Sequence, residues 1–109
     1  MSAKEALKVL VDKMNQKPEH LEGQKDRVIQ AELSDSGVVQ LVLKDKQAII
    51  LEEDFLQPDV TLILSDKNFI KLLNDDLNAM MAFMTGSLKI QGNTGLALKL
   101  QDIIKKYQE

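Results

Sequence analysis

GSLKIQGNTGLALKL, residues 86–100, decides the fold. Between Gly86 and Gly92, Leu88 and Ile90 alternate with Lys89 and Gln91, the period-two pattern of a strand with one buried face. Beyond Gly92-Asn93-Thr94-Gly95, the apolar residues Leu96, Leu100, Ile103, Ile104 and Tyr107 fall on one helical face. The stretch is therefore strand, glycine turn, helix. Just upstream, AMMAFMTG (79–86) reads as a short helix that Asn78 caps and Gly86 ends in the left-handed conformation.

Three of the chain's five glycines lie in residues 86–95, which raises the question of a phosphate loop. A P-loop requires Gly-x-x-x-x-Gly-Lys-Ser/Thr, and no Lys follows Gly92. A dinucleotide fingerprint requires Gly-x-Gly-x-x-Gly, of which only the last pair is present. A nucleic-acid-clamping Gly-x-x-Gly loop works beside basic residues, but here the two central residues are neutral. The simpler reading is structural: Gly86 ends a helix, Gly92 ends a strand, and Gly95 permits close packing where the last helix starts.

Working outward, Ser65 caps a helix carrying Phe69, Ile70, Leu72 and Leu73, which Asp75-Asp76 interrupts. Before it, DVTLILS (59–65) is a strand apolar enough to be covered on both faces. Three further strands precede it: RVIQAELS (27–34), VVQLVLK (38–44) and QAIILEE (47–53), separated by Asp35-Ser36-Gly37 and Asp45-Lys46. Ile29, Ala31 and Leu33 share one face; Val39, Leu41 and Leu43 form another apolar row. Phe55 to Pro58 is a connection. Short connections between successive strands favour antiparallel neighbours. At the N-terminus, Ser2 and Glu5 form a capping box, and Ala3, Ala6, Leu7, Leu10 and Met14 make the apolar stripe of a helix over 3–15. A polar connection follows, with a helical turn begun by Pro18 and ended by Gly23. The order, helix, three or four strands, two short helices, strand, helix, predicts an α+β fold: one domain over 1–109, a sheet with helices packed mainly on one face.

Composition narrows the function. The chain has no cysteine, which excludes disulfides, thiolate metal sites and a cysteine nucleophile, and fits a reducing compartment. Net charge is −3, which argues against non-specific nucleic-acid binding. No apolar run approaches the roughly 20 residues of a membrane span. The first residues lack a signal-peptide core, and KKYQE matches neither a prenylation box nor a Ser-Lys-Leu ending. The expectation is a cytoplasmic protein.

Catalytic constellations are thin. His20, the single histidine, lies in a polar stretch and reads as solvated. One histidine without cysteine makes zinc unlikely, and no Gly-x-Ser-x-Gly elbow exists. Glu52-Glu53-Asp54 and Asp75-Asp76 lack the spacing of a calcium loop and read as solvated turns. The expectation is no catalysis, no cofactor and no metal. The oddity is MMAFM (80–84). Methionine is flexible and polarisable, and is favoured where a surface must fit varied apolar partners. Such a helix is either buried in the core or borders an apolar cavity or groove.

DVTLILSDKNFIKLL and AMMAFMTGSLKIQGNTGLALKLQDII together resemble the sterol carrier protein type 2 domain. The most specific part, Gly86 to Leu100, is similar to that family's Gly-x-Leu-x-Ile-x-Gly-Asn-x-x-x-Ala-x-x-Leu signature. Asp59-Val60-Thr61 with Ser65-Asp66 resembles its fourth strand and helix start. The similarity covers about 59–104; over 1–58 it rests on size and element order. The resemblance implies a five-stranded, mostly antiparallel sheet covered on one face by helices, with a hydrophobic lipid tunnel between. It also implies non-catalytic binding and transfer of a fatty acid, acyl-CoA, sterol or phospholipid. The expected wall residues are Leu73, Met80, Met81, Phe83, Met84 and Ile90, with Leu100, Ile103 and Ile104 from the last helix. Gln24, Lys25 and Arg27, where the polar connection meets the sheet, are candidates for a lipid head group. Partners would be the lipid, a membrane in transient contact, and a lipid-metabolising enzyme in trans. The alternative is a protein-interaction module with an apolar groove; an enzyme using the acidic pairs is a third reading.

Overall fold

The computed structural model describes residues 1–53 and 56–108. The part of the 55–58 connection at Phe55, the last residue of the 52–54 acidic run (Asp54) and the terminal Glu109 lie outside the described residues. The elements are α1 (Ala3–Gln16), a 3-10 turn (Pro18–Leu21), β1 (Arg27–Leu33), β2 (Gly37–Lys44), β3 (Gln47–Leu51) and β4 (Val60–Leu64). Then come α2 (Asp66–Leu73), α3 (Ala79–Thr85), β5 (Lys89–Gly92) and α4 (Thr94–Tyr107). The architecture is α+β, with one five-stranded sheet in the order β3-β2-β1-β4-β5.

Local chemistry sets the helix starts. Ser2 and Glu5 form the capping box of α1, and Ser65, Asn78 and Asn93 each accept a backbone N–H three residues on. β2 and β3 join through a two-residue turn in which Asp45 and Lys46 both adopt left-handed conformations, with φ of 53° and 62°. That is the turn whose twist matches a hairpin. β3, an edge strand, is blunted by α1. The Asn15 side chain donates to the Ala48 carbonyl and accepts from its N–H, at 3.0 and 2.8 Å.

Three of the four strand pairings are antiparallel, and β1 with β4 is parallel. The expectation that successive strands would be neighbours therefore fails at β3–β4. The chain leaves one edge, passes β2 and β1, and enters β4 beyond them. A buried amide makes this crossing possible. Gln40 points to the face opposite Val39 and Leu41 and is fully buried. Its side chain accepts from the Leu56 N–H and donates to the Leu56 and Gln30 oxygens, at 3.2, 2.8 and 2.8 Å. Leu56, on the way to β4, is thus held over the sheet's outer face by one glutamine.

The inner face carries the core. Ile29, Ala31, Leu33, Val39, Leu41, Leu43, Val60, Leu62 and Leu64 face the stripes of α1, α2 and α4 in one buried cluster. β4 is buried on this side and at outward Thr61, while Ile63 is half-buried.

Candidate functional site

Helices laid over a sheet meet it along a seam. Here Ile29, Ala31, Val39, Leu41 and Leu62 form the floor. Leu7 from α1, Phe69 and Leu73 from α2, and Leu100 and Ile104 from α4 form the roof. No lining side chain is polar. Period-two alternation aims the floor inward, and period 3.6 aims the roof downward. The gap between them is about 10 Å³, room for about one water molecule. Ligand pockets for lipid-sized molecules run to roughly 300 Å³ and more. The seam is closed, and a lipid enters only if the helices lift from the sheet or the side chains repack.

The structure distributes the nine expected wall residues unevenly. Leu73, Leu100 and Ile104 line the seam. Ile103 is buried in the core away from the lining, and Ile90 is half-buried on β5 opposite Leu62. Met80, Met81, Phe83 and Met84 are on the surface of α3, 46%, 64%, 41% and 77% exposed. Only Ala79 and Ala82 of that helix are buried. MMAFM is thus neither a core helix nor turned towards the seam. Leu7, Phe69 and the floor were absent from the expected wall. The floor's inward alternation is legible in the sequence, but the family similarity covers about 59–104 and points away from α1, β1 and β2.

None of the three head-group candidates lines the seam; Gln24 and Lys25 border a separate small depression with Leu21 and Leu43. Arg27 is two residues from Ile29 and shares its face of β1. Arg27 Nη1 and Gln24 Oε1 are shielded from solvent and have no hydrogen-bond partner among the described residues. Buried polar atoms are rarely left so. Lys25 is exposed. Among the described residues the one ion pair is Lys46 with Glu22, at 3.3 Å between exposed side chains, and none of them pairs with Arg27.

His20 departs from the solvated reading. Its ring meets Tyr107 edge-on at 5.1 Å between centroids, and the Tyr107 hydroxyl donates to the Lys17 carbonyl at 2.7 Å. Burial, with the Glu19 charge nearby, pushes the Tyr107 phenol above its ordinary pKa. These contacts tie the end of α4 to the end of α1. Among the described residues no three carboxylate or imidazole groups converge as a metal site, and no helix is long and apolar enough to cross a membrane.

Known proteins share this arrangement. The sterol carrier protein domain 2 of Helicoverpa armigera superposes with a TM-score of 0.70 at 28% identity, over 94% of this chain and 84% of that one. Hydroxysteroid dehydrogenase-like protein 2 of Bos taurus is 42% identical over 82 residues, 72% of this chain and 20% of its own. Peroxisomal multifunctional enzyme A of Dictyostelium discoideum is 43% identical over 53 residues, 49% of this chain and 12% of its own. The chain thus spans a fifth or less of these two relatives. The model of the SCP-2 sterol transfer family matches residues 4–105. With its sheet order, its apolar seam and the Gly86–Leu100 signature, this chain belongs to the SCP-2 sterol transfer family.

Proposed function

We propose that residues 1–109 form one lipid-binding domain that takes up and releases a fatty acid, acyl-CoA, sterol or phospholipid in the seam, without catalysis. The observation that carries this reading is the seam itself, lined on every side by apolar groups. The proposed wall is Leu73, Leu100 and Ile104 above Ile29, Ala31 and Leu62. The four exposed side chains of α3 face away and have no lining role in this reading. Ile90 and Ile103 support the wall from behind.

Burying about fourteen methylenes at ~0.8 kcal/mol each gives roughly 11 kcal/mol gross. Lost ligand freedom takes back several kcal/mol, and opening a closed seam lowers apparent affinity by the fraction of molecules that are open. The net suits reversible binding. A carboxylate would stop at Arg27 Nη1, since burying it unpaired costs several kcal/mol; the open Gln24 atom, Oε1, is an acceptor and suits a hydroxyl head group instead. Lys25, exposed nearby, adds long-range attraction.

Native mass spectrometry of the purified chain, followed by organic extraction, tests the reading. A stoichiometric adduct of lipid mass supports it. A bare chain that also refuses added fatty acid overturns it. Arg27→Gln should weaken a fatty acid about tenfold, the worth of one charge-assisted contact, and leave the matching fatty alcohol unchanged. Equal losses would remove the head-group assignment.

As a carrier, the chain would meet a membrane transiently and hand lipid to a metabolising enzyme in trans. The cytoplasm remains the proposed compartment, although two relatives are peroxisomal by name. Imaging of the tagged chain decides between the two.

A further inference from the structure

α3 is built inside out. It turns its two alanines, Ala79 and Ala82, towards the core and presents Met80, Met81, Phe83 and Met84 to solvent. An amphipathic helix at a protein surface does the reverse. No ionisable residue occurs in the twelve positions from Leu77 to Leu88; the flanking charges are Asp76 and Lys89. Taking about 200 Å² for a residue of this size, the four exposures amount to roughly 450 Å², as large as the biggest patch on a typical monomer.

The backbone of α3 is also prepared to leave water. At its start the Gln101 side chain accepts from the Ala79 N–H and donates to the Leu77 carbonyl, both at 2.9 Å. The Asn78 side chain takes the Met81 N–H at 3.0 Å. At its end the Ala82 carbonyl receives the Leu88 N–H at 3.0 Å and the Thr85 hydroxyl at 3.2 Å. In hydrocarbon, backbone groups must be satisfied within the protein, and these helix-end groups already are.

We infer that α3 docks the protein on a neutral bilayer, with Met80, Met81, Phe83 and Met84 entering the acyl layer. The surface is the outside of a helix, which a fluid acyl layer can mould around. A second copy fits less well: two such patches would bury about 900 Å², short of the ~1,200 Å² of stable interfaces. The uncharged patch on a chain of net charge −3 favours zwitterionic over anionic lipid. Interfacial binding without a basic face rests on apolar burial alone, so it is indifferent to salt. The inference deepens the carrier reading and rests on it for why a bilayer is visited, so the two are tested apart.

The test is flotation with phosphatidylcholine vesicles, comparing wild type with Met81→Asp/Met84→Asp and the uncharged Met81→Gln/Met84→Gln. Thermal melts check folding, and a dansyl-labelled C11 fatty acid measures seam binding independently. We expect wild type to float, with vesicle affinity falling about tenfold or more in the Asp variant and less in the Gln variant. Binding should be unchanged between about 50 and 500 mM NaCl, and probe affinity should be retained in both variants. Docking is overturned if wild type ignores the vesicles or the Asp variant floats equally well. It is overturned too if binding needs anionic lipid and fades with salt, which points to lysines such as Lys13, Lys17 and Lys106. A wild-type dimer that the Asp variant dissolves also overturns it, since a second copy then covers α3. Vesicle binding without probe binding overturns the carrier reading and leaves docking in place.

Discussion

Two glycines that look alike in sequence carry different constraints. Gly86 and Gly92 both adopt left-handed backbone, with φ of 87° and 89°. A Cβ on Gly86 would enter open space. A Cβ on Gly92 would lie 2.8 Å from the Asp59 carbonyl oxygen and 3.4 Å from Val60 Cα, both backbone atoms of the β4 side. Gly86→Ala should therefore cost only the conformational strain, about 1–2 kcal/mol. Gly92→Ala adds overpacking against backbone that cannot swing aside, about 1–3 kcal/mol more. Urea unfolding of the two variants measures the difference, and equal losses would mean the β4–β5 approach is looser than drawn. That three glycines bracket a strand and a helix was legible from spacing. Which one is crowded was not, because the crowding atom belongs to Asp59, more than thirty residues upstream. Gly95 shows the converse: its Cβ position meets only the Asn93 side chain, at 3.4 Å, in the first turn of α4.

Among the elements, α2 is tied to the β1–β2 hairpin by one carboxylate. Asp66, the first residue of α2, accepts the Ser36 hydroxyl and the backbone N–H groups of Asp35 and Ser36, the latter at 2.9 and 3.3 Å. The Ser36 hydroxyl foremost, then the Asp35 amide, lowers the Asp66 pKa below the ordinary 3.8. A carboxyl with a depressed folded-state pKa adds stability that is full above the unfolded value and lost as pH falls through the folded one. Asp66→Asn should flatten the fall in stability below about pH 4, and denaturant midpoints from pH 6 to pH 2.5 read it. A variant that tracks wild type through that range would remove Asp66 from the acid limb. The helix caps, the Asp45-Lys46 hairpin and the alternation of β1 and β2 were all visible, because each is fixed within a few residues. The parallel β1–β4 pair was not, since Gln40 pins the crossing from another strand. The helix α3 and its caps were legible too, but its inner face was not, for another reason. AMMAFMT is apolar on every side, so no period marks its inner face; only packing against α4 selects the alanines.

For the molecule as a whole, the question is how a closed seam would serve the proposed carrier role. A native core without room for a chain must trade side-chain contacts for ligand contacts, so binding and stability are one equilibrium. A ligand that fits the open form stabilises the fold by about 2.7 kcal/mol at a hundredfold excess over Kd. For a chain of this size that is a rise in Tm on the order of 10 °C. Two substitutions on opposite walls separate this from surface binding. Leu100→Ala removes roof, costs about 2–5 kcal/mol, and should leave the ligand-induced rise in place or enlarge it, because the ligand now fills space the protein lacks. Ala31→Leu adds three carbons to the middle of the floor, where Ala31 is buried beneath the helices. It should fold at a cost of about 1–3 kcal/mol and lose most of the ligand-induced rise. Differential scanning calorimetry with and without a C14 fatty acid makes the comparison. If Ala31→Leu still gains as much as wild type, the lipid is held outside the seam, and the wall assigned to Leu73, Leu100 and Ile104 falls with it.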